Sequence, residues 1–238
     1  MFVKGPAPSR VAGLALLLLL TAACGGAASP SPSAPVATDT PTASPAATAV
    51  ATTAPQANAI TWTVDASSKA TIRVREQLVR LPAPNDALIT ISGAQGGFTL
   101  NPDGTFASSS KVSVDMMTIT TDDRQRTDTI KRDPLEVTRF RTSDLVPKTT
   151  TGLTLPLPSS GEFTFKLTGD LTLHGVTKSV TFDVRATRAD GKLTATATAN
   201  PSWKFGDFGM RPPSSFSVLS IVDEIRMEFA LVANEARA

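Results

Sequence analysis

Tyrosine is absent from the chain, cysteine and histidine occur once each, and aromatic residues make up only 5% of the sequence. A lone Cys24 excludes any disulfide within the chain, so a folded region has to be held by its own core. A zinc site draws three or four ligands from Cys, His and carboxylates, and a Ser-His-Asp or Cys-His machine needs a histidine placed by a third group. Cys24 and His174 leave little material for either. Long runs of Lys or Arg are also lacking, and with so few aromatics a nucleic-acid surface has little support. The formal charge is +2, from 23 basic and 21 acidic residues. Lys4 and Arg10 lie in a segment expected to be removed, and without them 21 of each sign remain, a nearly neutral mature protein. What is present is 238 residues, 41% of them hydrophobic, enough for one or two ordinary domains.

The first ten residues carry two positive charges, Val11 to Leu20 form an apolar run, and Thr21, Ala22 and Ala23 stand directly before Cys24. That order is the charged, apolar and small-residue pattern of a secretory signal over residues 1–23. The apolar run is half the ~20 residues a spanning helix needs, so a cleaved leader is the stronger expectation than an uncleaved anchor. The small-small-Cys step resembles a bacterial lipobox, which implies lipid attachment at Cys24; an ordinary signal peptide with an incidental cysteine is the alternative. The expected location is outside the cytoplasm, lipid-anchored to the outer face of the cytoplasmic membrane or to the cell envelope. Behind Cys24, residues 25–59 are almost entirely Ala, Ser, Thr and Pro, with Asp39 their only charge. Such a stretch cannot bury enough surface to offset the entropy of ordering it, so residues 24–59 read as a disordered tether or, alternatively, a cleaved propeptide.

From Ile60 the texture changes to short alternating segments. Ile72, Val74 and Leu78 share one face, with Arg73, Arg75 and Gln77 on the other, which is the period of a half-buried strand. The same period runs through Val112, Val114 and Met116; through Phe163, Phe165, Leu167, Leu171 and Leu173; through Val180, Phe182 and Val184; and through Ile225, Met227, Phe229 and Leu231. Turn residues separate them at 101–104, 159–161, His174-Gly175 and Asp190-Gly191. Residues 122–142 break the pattern and suit one or two short helices split by Pro134. The expected class is all-β: about eight antiparallel strands over residues 60–238, with a small helical insertion. Strands with one apolar face must stack as two sheets or close on themselves, and closure also removes exposed edges.

The stretch Gly169-Asp-Leu-Thr-Leu-His-Gly-Val-Thr-Lys-Ser-Val-Thr-Phe-Asp-Val184 resembles the hairpin signature of the YceI-like family. Trp62-Thr-Val-Asp65 is similar to that family's start, Thr120 to Arg132 to its Thr-, Asp- and Arg-rich middle, and Leu135 to Phe140 to the segment that follows. Arg75-Glu-Gln-Leu78 and Phe205-Gly-Asp-Phe-Gly-Met210 resemble a lipoprotein-like branch. The middle departs from the pattern, because Arg132-Asp-Pro134 is followed by Arg139-Phe-Arg141 without the usual aromatic-Pro step. The resemblance implies an extended, lipocalin-like eight-stranded antiparallel barrel around an apolar cavity. It also implies polyisoprenoid ligands such as a prenyl quinone or a prenyl phosphate, with no covalent cofactor and no catalytic residue carried over.

An eight-stranded barrel is just wide enough to be filled by side chains or to hold one slender ligand. The inward aromatics and methionines Phe98, Met116, Phe140, Phe163, Phe165, Met227 and Phe229 therefore either pack a core or line a cavity. His174, at a strand end beside Gly175, suits a backbone-bonded turn first, a head-group contact second and a general base third. Arg124, Arg126, Lys131 and Arg132, interleaved with four aspartates, form either a gate for a polar head group or a solvated, self-neutralising helix face. Arg75 and Glu76 alternate faces, so one of them can point inward and would need a partner; Arg75 is carried as the site candidate. The function these readings favour is a membrane-tethered binding protein for an isoprenoid or related lipid, acting as monomer or homodimer. An envelope hydrolase or isomerase using His174, and a packed, ligand-free envelope protein, are the alternatives.

Overall fold

The computed structural model describes residues 55–214 and 216–236. The signal segment 1–23, Cys24 and the tether up to residue 54 lie outside the described residues. Among the described residues no helix is long and apolar enough to cross a membrane. In chain order the elements are β1 (Ile60–Val64), β2 (Lys69–Leu78), β3 (Asn85–Ser92), β4 (Gln95–Leu100), β5 (Lys111–Asp115), β6 (Thr120–Thr121), α1 (Arg124–Arg132), β7 (Thr142–Thr151), β8 (Gly161–Leu173), β9 (Val176–Ala189), β10 (Lys192–Ala199), β11 (Val218–Ile221) and β12 (Arg226–Glu235). Two 3-10 turns, Met116–Thr118 and Phe205–Phe208, complete them.

Pairing runs β1-β4-β5-β7-β8-β9-β10-β12, antiparallel throughout, and β12 returns to β1. The sheet is thus a closed barrel with eight strands around its ring, as the alternation and the resemblance led one to expect. It contains more strand segments than that because three long strands are broken. β1 leads through a turn into β2, β3 through Gly93 into β4, and β5 through the 116–118 turn into β6. β2 and β3 pair with each other below the break as β1 and β4 do above it.

The break between β1 and β2 falls where both share the same edge of β12. Val64 to Trp62 pair with Ala233 to Glu235, while Lys69 to Arg73 pair with Ala230 to Arg226. Val232 lies in the gap, and Ser68, fully buried, fills it. Its hydroxyl donates to the Val232 carbonyl at 3.0 Å and accepts from the Val232 amide at 2.9 Å, while the Asp65 amide donates to the same carbonyl at 2.8 Å. A buried backbone group without a partner would cost about 1 to 3 kcal/mol, so a serine at this point keeps the ring intact.

Two hairpins hold their register through the same turn chemistry. Leu173 pairs with Val176 across His174 (φ 51°) and Gly175 (φ 73°), and Ala189 pairs with Lys192 across Asp190 (φ 50°) and Gly191 (φ 70°). Two central residues with positive φ make the turn whose twist suits an antiparallel hairpin. In residues 122–142 one helix forms rather than two. Asp123 caps α1 by accepting the Arg126 amide at 2.8 Å, Lys131 and Arg132 occupy its last turn, and Pro134 prevents its continuation. Its one buried residue, Ile130, packs on the barrel core.

Gly96 and Gly93 both have positive φ, 110° and 75°, but only Gly96 is crowded: a Cβ there would stand 2.3 Å from the Lys111 carbonyl oxygen, whereas nothing approaches within 4 Å at Gly93. Gly93→Ala is expected to cost about 1 kcal/mol from backbone strain alone. Gly96→Ala, which must also push β4 away from β5, is expected to cost at least about 2 kcal/mol more, as read from urea unfolding midpoints. Equal losses at the two sites would show that the β4–β5 approach is not tight.

Candidate functional site

Closure sends every second side chain inward. At one end Trp62 stacks on Phe98 (centroids 5.4 Å apart) and Phe98 meets Phe106 edge-on at 6.1 Å. At the other end, beside the β8–β9 turn, Trp203 packs edge-on against Phe182 and Phe208 at 6.0 and 5.4 Å. These clusters do not fill the barrel, which holds a cavity of about 710 Å³. That is within the roughly 300–1,000 Å³ of small-molecule sites. Six of the residues expected to face inward line it: Phe98, Met116, Phe163, Phe165, Met227 and Phe229. Five of these six, all but Met116, are only half-buried, because they face the open space instead of a packed neighbour. Ala195 and Ala197 on β10, which alternate with Thr194, Thr196 and Thr198, make room by being small.

The cavity opens beside the end of β2, where Val79, Arg80, Pro213 and Phe216 reach its lining. Phe216, Val79 and Leu219 are exposed there, with Leu81 close by along the chain, so the rim is apolar. One wall of this end is polar. Glu76, 5% exposed, points inward, and its Oε1 accepts from Nη2 of Arg126 at 2.8 Å. The Nη1 of Arg126 donates to Asp122, and Gln125 and Thr129 of α1 stand on the same wall. A buried carboxylate in an apolar interior is tolerated only when so paired. Among the described residues no group of three or more His, Cys, Asp or Glu is placed to hold a metal ion.

The family model for the YceI-like domain matches residues 62–233. The chain belongs to the YceI-like family. Two solved structures resemble its fold. A polyisoprenoid binding domain from Saccharophagus degradans, implicated in plant cell wall breakdown, is 13% identical and superposes with a TM-score of 0.56 over 74% of this chain and 98% of that one. BcnA of Burkholderia cenocepacia is 16% identical, with a TM-score of 0.50 over 69% of this chain and 96% of that one. No curated protein matches the chain.

Three of the expected site residues lie away from the YceI-like cavity. Arg75 points outward, because it has the opposite parity to Ile72, Val74 and Leu78; its Nη1 reaches Asp86 at 3.4 Å, and Glu76 takes the inward place. Phe140, in the irregular segment after α1, lies under the β8–β9 turn with its ring centroid 4.3 Å from that of His174. His174 sits at the centre of the family's signature hairpin, but outside the barrel. Its Nδ1 is 3.2 Å from the Phe208 carbonyl oxygen and its Nε2 is 2.9 Å from a Glu136 carboxylate oxygen. It ties the hairpin turn to the 205–208 turn and to the segment following α1. Residues missed by alternation are Arg126 as the inward partner of Glu76, and Trp62 and Trp203 as cavity walls.

Asp86 accepts from Arg226 at 2.7 Å as well as from Arg75, and the hydrogen bond from Arg226 holds its carboxyl below the usual range. A depressed folded value means that its stabilising share is present above the unfolded pKa of about 3.9 and is lost as pH falls through the lower folded one. Asp86→Asn is therefore expected to flatten the fall in thermal midpoint between about pH 5 and pH 2; an unchanged slope would place the acid sensitivity elsewhere. His174→Ala is expected to lower stability by about 2 kcal/mol in urea unfolding while lipid uptake stays the same, since the ring braces loops and touches no cavity wall. Loss of uptake in a variant of undiminished stability would assign it a role in the site.

Proposed function

We propose that the chain is a membrane-tethered, extracytoplasmic binding protein that shelters the apolar tail of a polyisoprenoid-type amphiphile in its barrel. The observation that carries this reading is the apolar cavity of about 710 Å³ inside a closed barrel, open at one end. Each isoprene unit buried there contributes on the order of 2 to 3 kcal/mol before ordering costs, so a prenyl chain is held without any charged contact to its tail. The similarity to a structure described as a polyisoprenoid binding domain supports the same ligand class. Acylation of Cys24, with residues 25–59 as spacer, would hold the protein at the membrane from which such a lipid comes. His174, outside the cavity and engaged by Phe208 and Glu136, offers the enzyme alternative no group facing a bound ligand.

Native mass spectrometry of the full-length chain purified from membrane-containing cells, followed by organic extraction, is expected to show one prenyl lipid per chain. A clean apo mass, with no uptake of added prenyl quinone or prenyl alcohol, would overturn the reading. Ala195→Trp places an indole in the cavity and is expected to weaken uptake at least tenfold while the thermal midpoint stays within a few degrees, a shift that overpacking a hollow site keeps small. Full uptake by that variant would place the ligand elsewhere on the protein.

A further inference from the structure

The chain enters the barrel at the end away from its mouth. Gln56 is fastened there, its amide donating to the Asn101 side chain at 3.1 Å and its Nε2 to Asp103 at 2.8 Å, and β1 and β2 then run the length of the barrel before Val79 reaches the opening. An extended chain from Cys24 to Gln56 spans up to ~105 Å, against at most ~65 Å for β1 and β2 together. Attachment at Cys24 therefore lets the mouth reach a bilayer without directing it there.

The mouth carries groups that would direct it. Beyond Leu78 the Val79 amide donates to the Ser217 carbonyl at 3.0 Å, which brings Val79 and Leu81 together with Phe216 and Leu219 at the ends of β2 and β11. Phe216 is fully exposed, and Val79 and Leu219 are more than half exposed. Residues 79–84 and 211–222 hold two charges, Arg80 and Arg211, and no acid. Both arginines are exposed, and among the described residues neither guanidinium has a hydrogen-bond or ion-pair partner. Across the mouth Glu76 and Asp122 are engaged by Arg126, Asp123 caps α1, and the exposed Arg124 and Asp128 offset each other in charge. The acids that follow β11 are spent on structure: Asp223 accepts from the Phe205 amide at 2.9 Å and Glu224 from the Ser202 hydroxyl at 2.9 Å.

We propose that the rim formed by the ends of β2 and β11 is a membrane-docking face that seats the mouth on an anionic lipid surface. Phe216, Leu219, Val79 and Leu81 enter the acyl boundary, and Arg80 and Arg211 meet the lipid phosphates, the division of labour of an interfacial anchor. A side chain as prominent as Phe216 needs a partner that yields around it, which a bilayer does and a folded protein does only with a matching pocket. Docking turns the barrel over relative to its point of attachment, so that a lipid passes between bilayer and cavity without crossing water. That use rests on the carrier reading above, whereas the docking itself is argued from the rim.

Vesicle flotation tests this on the chain from Gly25 onward, which lacks the leader and Cys24 and keeps the whole closed ring and its core. Binding to phosphatidylcholine vesicles containing about one third phosphatidylglycerol is expected to be at least threefold stronger than to phosphatidylcholine alone. Phe216→Ser with Leu219→Ser, at exposed positions that do not threaten folding, is expected to weaken binding at least tenfold. Arg80→Gln with Arg211→Gln is expected to abolish the preference for the anionic lipid. Leu88→Ser, a comparable change at an exposed position of β3 opposite Arg73, is expected to alter nothing. No binding by the unlipidated chain, or binding that the rim substitutions leave untouched, would overturn the proposal. Self-association lost in Phe216→Ser, in place of vesicle binding, would overturn it in favour of a second copy of the chain as occupant. Uptake of a prenyl alcohol from solution, read from Trp62 and Trp203 fluorescence, keeps the two readings apart. Uptake without vesicle binding removes the docking face and leaves the carrier; vesicle binding without uptake does the reverse.

Discussion

Each of the eight strands in the ring is paired on both edges, and the whole interior depends on that. β12 is the strand on which closure turns. One of its edges is committed to β10 along almost its whole length, and the other is divided between β1 and β2, with the Ser68 hydroxyl occupying the interval at Val232. Because strand side chains alternate, closing the ring sorts them into an inside and an outside without further instruction. A ring of eight cannot collapse onto itself as two flat sheets can, so small residues such as Ala195 and Ala197 leave room instead of being compensated by neighbours.

Water-excluding walls make each inward charge expensive, and the two described here are answered in different ways. Arg188, at the end beside Trp62, donates to the carbonyls of Leu157 and Pro158 and to Glu235 at 2.7 Å, and its guanidinium lies over the Trp62 ring at 5.5 Å. Its terminal nitrogens are consumed by structure at that end. Glu76, at the open end, is answered by one arginine from α1, so the helix that interrupts the strand pattern supplies a charge partner that no strand provides. The insertion is thereby joined to the barrel by an ion pair as well as by Ile130.

Alternation made much of this legible in advance. Phe163, Phe165, Met227 and Phe229 were assigned their face by period alone, and the His174-Gly175 and Asp190-Gly191 steps marked both hairpins because positive φ at two successive positions demands such residues. The same parity that places Ile72, Val74 and Leu78 inward also places Glu76 there and sends Arg75 out, so the inward charge of the pair is Glu76. Phe140 lies in a segment with no period, where size and apolarity alone cannot fix direction, and it is spent on the His174 ring. The partnership of Glu76 with Arg126 spans fifty residues and joins a strand to a helix; no local pattern encodes it. Whether the interior would be packed or hollow was equally hidden, since it depends on summed side-chain volumes across the whole ring.

The meeting of β1 with β12 also imposes an order in time. Trp62 pairs with Glu235, so the first strand of the ring waits for the last before either has its full set of partners. Hairpins such as β8–β9 can form from local contacts, but until β12 is in place the apolar wall they build faces water as an open sheet. The interior is therefore complete only once that last pairing is made, and a half-made barrel offers an edge in place of a smaller cavity.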